Sequence, residues 1–203
     1  LPAILLGELQ TRFPALGRSD TTLMPDTDAR TLRDTIVPSL RNDAGFARAP
    51  EWAGRPVETG PLARWQRHPL IAALRERDGH TAATRVVARL VDLAARVLEL
   101  RGEDPEADAR GVLRPAVIGP AEGLGVAETA RGLLLHRVRT EGGRIAAWDI
   151  VAPTEWNFHP HGALTKGLLG IAAPNAAAID RAARIAVQAL DPCVACHVEV
   201  VDA

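Results

Sequence analysis

The only two cysteines of the 203-residue chain, Cys193 and Cys196, form a C-x-x-C in the string "DPCVACHVEV" at 191–200. A turn of that spacing brings both sulfurs to one side, where two thiolates grip a soft metal. Two ligands do not complete a structural zinc site, and no second C-x-x-C is present. His197 directly follows Cys196, so the two side chains diverge and are not expected to share an ion. A thioredoxin-type pair opens a helix after a strand, whereas this one follows a helical stretch. Metal clamp, redox pair and buried thiols all stay open on spacing alone.

Other polar residues have simpler readings when taken singly. Arg131 reads as a surface guanidinium, and Thr154 as a turn residue after Pro153. His159 and His161, in "HPHG", read as solvated loop residues, because alternate loop positions share no fixed face. Trp156 and His136 read as packing residues. Glu58 reads as a turn or network carboxylate rather than an acid–base catalyst.

The elements that must carry these residues follow from pattern. Residues 27–41 look like a helix capped by Thr27 or Asp28 and interrupted at Pro38. The Pro- and Gly-rich stretch 49–64 reads as an irregular connection. Residues 81–101 form the strongest helix, capped by Thr81 and ended by Gly102. Val86, Leu90, Leu93, Val97 and Leu100 recur at helical spacing and are expected to face the core. An acidic turn or short helix is expected over 102–110. "GLLLHRVRT" (132–140) and "GRIAAWDIVAP" (143–153) flank a Gly pair and read as a β-hairpin. A last helix fits 174–190, with Pro174 in its first turn and Ile179, Ala183, Ile185, Val187 and Leu190 on its apolar side. Pro192 should stop it just before Cys193.

Composition narrows the function classes. Hydrophobic residues make up 47% of the chain, enough for a core. Twenty-four basic residues balance 25 acidic ones, so no nucleic-acid footprint is visible. Lys166 is the sole lysine and tyrosine is absent, which reads as GC-rich coding bias rather than chemistry. No apolar run approaches the ~20 residues that span a bilayer. The apolar start lacks a basic region and does not read as a signal peptide. Two cysteines make no disulfide framework, so a reducing, cytoplasmic setting is expected. The chain opens on Leu1, as a trimmed chain or fragment would. Without repeats or a low-complexity linker, residues 1–203 are expected to form a single domain.

Three ordered strings share a wider resemblance. "LDPCVAC" (190–196) resembles the C-terminal signature of nickel–iron hydrogenase large subunits, D-P-C-x-x-C-x-x-H. "GRPVETGPLARW" (54–65) resembles that family's G-x-P-x-E-V-G-P-L-A-R segment. "AETARGLLLHRVRTEGGRIAAWDIVAPTEWNF" (127–158) resembles its E-A-P-R-G-x-L-x-H hairpin followed by V-P-T-T-W-N. The resemblance implies an α+β, mainly α-helical large-subunit-like fold, with a small antiparallel β-hairpin near 132–153. It implies that Cys193 is a terminal thiolate on nickel and that Cys196 bridges nickel and iron. It places Arg131 over the metal site, and Pro153 and Thr154 against the cyanide ligands of the iron. A threonine hydroxyl or a backbone N–H is the donor a cyanide nitrogen needs. The cysteines are expected to lie buried near Arg131, Pro153 and Thr154.

The departures from the family pattern are equally specific. The family holds nickel with four cysteines, two of them from an N-terminal C-x-x-C. This chain has two in all, so either an N-terminal segment is missing or nickel is never held in the enzymatic way. Glu199 stands where the family has a magnesium-binding histidine that marks a processing site; a carboxylate still suits magnesium. With Ala203 as the encoded end there would be no tail to remove. Ala130 replaces the usual proline before the arginine.

These features resemble the large-subunit-like proteins of hydrogenase maturation. That implies a cytoplasmic assembly scaffold that carries iron with cyanide and carbonyl ligands, rather than an enzyme. Its partners would be other maturation proteins and a hydrogenase large subunit. The alternative is the C-terminal part of a catalytic large subunit, which uses nickel, oxidises or forms dihydrogen with Arg131 at the site, and pairs with an iron–sulfur small subunit. A third reading, a metal-free member of a respiratory-type complex, is opposed by the intact C-x-x-C.

Overall fold

The chain was analysed as a computed structural model that describes residues 7, 9, 11, 13–103, 113–169 and 171–201. The first helix with full bounds, α1 (Ala29–Asn42), begins at Asp28, whose carboxylate accepts the Thr31 N–H at 2.7 Å. Such a cap satisfies a backbone donor that the helix leaves orphaned. The expected interruption at Pro38 does not occur, and the helix runs on to Asn42. Burial of Leu32, Ile36, Val37 and Leu40 on one face outweighs the missing proline hydrogen bond.

Two short parallel strands follow the core inward, β1 (Thr22–Leu23) beside β2 (Val57–Glu58). The stretch expected to be irregular thus contains a strand and the short helix α2 (Pro61–Arg64). Helix α3 (Pro69–Asp78) leads to α4 (Ala82–Leu100), which is capped by the Thr81 hydroxyl and followed by Gly102 at φ +70°, as its sequence implied.

Of the expected apolar face of α4 only Val86 packs against the core, and it is half-buried. Ala82, Ala83, Thr84, Arg85, Ala88, Asp92 and Ala95 are buried, while Leu90, Leu93, Val97, Leu98 and Leu100 are exposed. Alanines let neighbouring helices approach closely. The two charged residues on the same face have partners waiting: Arg85 meets Glu58, and Asp92 accepts from Arg64 and from the Trp65 indole. Most of the acidic stretch expected over 102–110 lies outside the described residues.

The expected hairpin is present as β5 (Gly132–Glu141) and β6 (Arg144–Val151). Gly142 and Gly143 turn it at φ +56° and +76°, the conformation of a two-residue primed turn. It is half of a larger sheet. Strands β3 (Leu113–Gly119) and β4 (Glu122–Thr129) precede it, and all four are antiparallel in the order β3-β4-β5-β6. Leu124, Val126, Leu133, Leu135 and Val151 point to the core, in the alternation a half-buried sheet requires.

Helices α5 (Pro153–Asn157), α6 (Ala163–Leu168) and α7 (Ala176–Ala189) complete the described residues. Asn175 caps α7 by accepting the Ala178 N–H at 2.9 Å, so Pro174 stands ahead of the cap and not in the first turn. Trp156 of α5 is fully buried in the main apolar cluster, a packing residue as read. Among the described residues no helix is long and apolar enough to cross a membrane.

Candidate metal centre

Thr59 ties three distant strings into one platform. Its N–H donates to Asn157 Oδ1 at 2.9 Å, and its hydroxyl accepts the Leu133 N–H at 3.0 Å. The "VETG" turn, the "ARGLL" strand and the "TEWN" helix therefore share one residue. Two glycines permit the contact. A Cβ on Gly60 would lie 2.7 Å from the Arg131 carbonyl oxygen, and one on Gly132 would lie 2.6 Å from Thr59 Cγ2. Both glycines also hold positive φ, +102° and +131°, which side chains disfavour. The close approach sets where the Ala130–Arg131 turn sits.

Beneath this platform Glu58 is held by Arg85 in a two-pronged ion pair, at 2.7 and 2.8 Å. The Arg85 guanidinium also donates to the Gly17 carbonyl at 2.7 Å and to Ser19 Oγ at 3.2 Å. Glu58 is thus a network carboxylate and not an acid–base group. A cavity of about 20 Å³, room for one water, lies between this pair and the platform, lined in part by Thr59, Arg89, Arg131, Asn157 and Asp191.

The cysteine tail leaves α7 along this cavity. Leu190 caps the helix, and Asp191 takes a left-handed backbone at φ +51°. That conformation costs roughly 1–2 kcal/mol for a residue with a side chain, and it turns the chain sharply out of the helix. The Asp191 carboxylate faces two guanidiniums, Arg131 Nε at 3.5 Å and Arg89 Nη1 at 3.9 Å. Arg89 also donates to the last helical carbonyls, Gln188 at 2.6 Å and Ala189 at 3.0 Å, where a cation is favoured. Burial lowers the pKa of Arg89, against the pull of Asp191. Farther along, Arg184 holds the Val198 carbonyl at 2.9 Å and is itself gripped by Asp180. The segment 193–196 is the span between these two anchors.

Cys193 meets Thr154 within that span. Its Sγ shares a hydrogen bond of 2.8 Å with Thr154 Oγ1, and its N–H donates to the same oxygen at 3.3 Å. Because that oxygen already accepts the amide, its own proton is placed to serve a thiolate. Pro153, buried, opens the helix that carries Thr154.

The structure brings Cys193, Thr154 and Pro153 together and links Arg131 to them through Asp191. The expected burial of the sulfurs is not found: Cys193 and Cys196 are both exposed. From Asp191 to Val201 the chain runs without helix or strand. His159 departs the other way. It is only 3% exposed, its Nδ1 accepts the His161 N–H at 3.1 Å, and burial lowers its pKa. The helical turn of α5 folds it inward. His136 accepts the Trp148 indole N–H at 3.0 Å and packs beside that ring. Glu199 is exposed, and among the described residues no cluster of three His, Cys, Asp or Glu side chains is arranged to hold a metal.

Sequence reasoning missed Thr59, Asn157, Arg89 and Asp191 as organising residues. Asp191 stood in the "DPC" string, and Arg89 lies one helical turn beyond Arg85, on the face now known to be buried. The donor set is two soft thiols with an adjoining hydroxyl. Such donors suit soft or borderline transition metals.

Comparison with known proteins agrees with this geometry. A family profile described as nickel-dependent hydrogenase matches residues 75–199, well over half of the chain. The chain is 34% identical to the hydrogenase expression/formation protein HoxV of Cupriavidus necator, over 98% of its own length and 52% of that protein. It is 33% identical to the hydrogenase expression/formation protein HupK of Rhizobium leguminosarum bv. viciae, over 99% and 52%. It therefore spans about half the length of these curated relatives. Among solved structures, the Ni-Fe-Se hydrogenase of D. vulgaris Hildenborough superimposes on 71% of the chain and 36% of its own, with a TM-score of 0.52 and 26% identity. The sheet, the platform strings and the C-x-x-C thus share one origin: this chain belongs to the nickel-dependent hydrogenase family.

Proposed function

We propose that this chain works in hydrogenase maturation, as a scaffold that holds an iron–cyanide–carbonyl unit before its transfer to a hydrogenase large subunit. The observation that carries the reading is the exposure of both sulfurs, with Cys193 set against Thr154. A cargo that must enter and leave needs ligands reachable without unfolding. Cys193 and Cys196 supply the thiolates. Thr154 and Arg131 supply donors for cyanide nitrogens, as outer groups that orient a metal ligand. The similarity to two hydrogenase expression/formation proteins over nearly the whole chain supports the same role. The partners are then other maturation proteins and the large subunit that receives the iron, in the cytoplasm.

A second reading, part of a catalytic large subunit, is favoured by the structural likeness to a Ni-Fe-Se hydrogenase. The higher identity to the two expression/formation proteins, 34% and 33% against 26%, weighs against it. Infrared spectra and metal analysis of protein purified from its native host decide between them. Cyanide and carbonyl bands with iron and without nickel are expected, and are expected to vanish in Cys193→Ala and Cys196→Ala while the fold persists. Stoichiometric nickel with hydrogen-dependent dye reduction would establish the enzyme instead. Protein free of bands and of metal would overturn both.

A further inference from the structure

Arg89 and Asp191 converge where α7 ends, and neither is a candidate metal ligand. Arg89 reaches across from α4 and donates to the Gln188 and Ala189 carbonyls, while its other arm faces the Asp191 carboxylate. Asp191 is the residue whose left-handed backbone aims the tail. Two positions later Cys193 meets Thr154 through both its sulfur and its amide. Residues 191–201 have no helix or strand of their own to set their course, so the path of the tail depends on its two anchors, residues 188–191 at one end and the Val198 carbonyl held by Arg184 at the other.

We propose that Arg89 is a positioning residue that sets Cys193 against Thr154. One guanidinium fixes both the helix end and the aspartate that launches the tail. With it in place, the first cysteine reaches the hydroxyl of α5. Without it, the helix end frays, Asp191 keeps only its contact with Arg131, and the sulfur leaves Thr154. Cys196 has no such tie; its Sγ lies 3.7 Å from the Val194 carbonyl of its own turn. The two thiols of one short motif are therefore unequal before any metal arrives. Cys193 is pre-placed and Cys196 is free to swing.

Alkylation of the reduced, metal-free chain by iodoacetamide, followed residue by residue by mass spectrometry, tests this directly. In the wild type Cys193 and Cys196 are expected to react at rates that differ by roughly fivefold, the factor that one net hydrogen bond carries. Thr154→Val should bring the ratio near one. Arg89→Gln should do the same, and Arg89→Lys should recover part of the difference, because an ammonium still meets the carbonyls and the aspartate. The double variant Arg89→Gln/Thr154→Val should match Thr154→Val alone. Global unfolding would level the two thiols as well, so the ratio is read only under conditions well below each variant's urea midpoint. A wild-type ratio in Arg89→Gln overturns the proposal, and so does an additive double variant. If Arg89→Gln does not fold, Asp191→Asn breaks the same link while tolerating the left-handed backbone, and an unchanged ratio there is equally fatal.

The proposal rests on the C-x-x-C being the working end of the scaffold proposed above. Its readout needs no metal, so absent iron bands would remove the scaffold reading and leave the thiol ratio standing.

Discussion

The Glu58–Arg85 pair and the Asp191–Arg131 pair line the same small cavity, but only one of them is sealed. The side chains of Glu58 and Arg85 are 2% and 3% exposed, and the arginine also fills its remaining directions with Gly17 and Ser19. Asp191 and Arg131 are 34% and 45% exposed, 3.5 Å apart, and flank a tail without regular structure. A buried ion pair with every hydrogen bond satisfied holds a frame, because removal of one partner strands a charge in low dielectric. An exposed pair contributes little to stability and is free to serve a ligand. The molecule separates the two tasks by a few residues: frame on the Glu58 side, site on the Asp191 side.

The sharpest way to break this contrast is Glu58→Ala. Stranding Arg85 should cost about 3–5 kcal/mol, read as a lowered denaturation midpoint in urea. A loss below about 1 kcal/mol would put Glu58 on the site side instead. Gly132→Ala tests the joint between frame and site. Its Cβ meets Thr59 and the Gly60 amide at under 3 Å, so a loss of about 1–3 kcal/mol is expected, together with loss of iron retention as Arg131 shifts. Asn157→Leu should cost about 1–3 kcal/mol, since it leaves the buried Thr59 N–H without its acceptor.

Acid should strain the buried part of the molecule. His80 and His159 both have pKa values lowered from 6.5, chiefly by burial. The unfolded chain therefore takes up protons that the folded chain refuses. Stability is full above pH 6.5 and falls as the pH drops from there toward the lowered folded values. Urea titrations at pH 7.5 and 5.5 should show the lower midpoint at 5.5. His80→Gln with His159→Gln should flatten that difference. The smallest effect belongs to the cysteines: Cys193→Ser and Cys196→Ser should change stability by no more than about 0.5 kcal/mol while abolishing iron retention. A large stability loss there would merge the two regions and remove the contrast.

Much of the site was legible because its parts sit in short, chemically distinct strings. Cys193, Cys196, Arg131, Pro153 and Thr154 were all named from sequence, and Thr154 does meet Cys193. The hairpin at 132–153 and the capped helix over 81–101 were legible too, from alternation and from Thr81. Strands β3 and β4 were not, because "RPAVIGPAEGLGVAET" dilutes its alternation with glycine, alanine and proline. The face of α4 was misjudged for a related reason. Periodicity marks where large apolar residues recur, but it does not say whether close packing selects them or the alanines between them.

The sequence by itself determined the family and the hairpin and named the candidate thiols, because residue type and local spacing are enough to specify motifs, turns and caps. Only the tertiary structure decided that Thr59 laces three distant strings together and that Glu58 belongs to the frame. It alone decided that the sulfurs face solvent and that Arg89 and Asp191 aim the tail. Those outcomes depend on contacts between residues up to about a hundred positions apart, such as Arg89 with the end of α7. Burial and long-range hydrogen bonds are properties of the packed chain, and no local pattern encodes them.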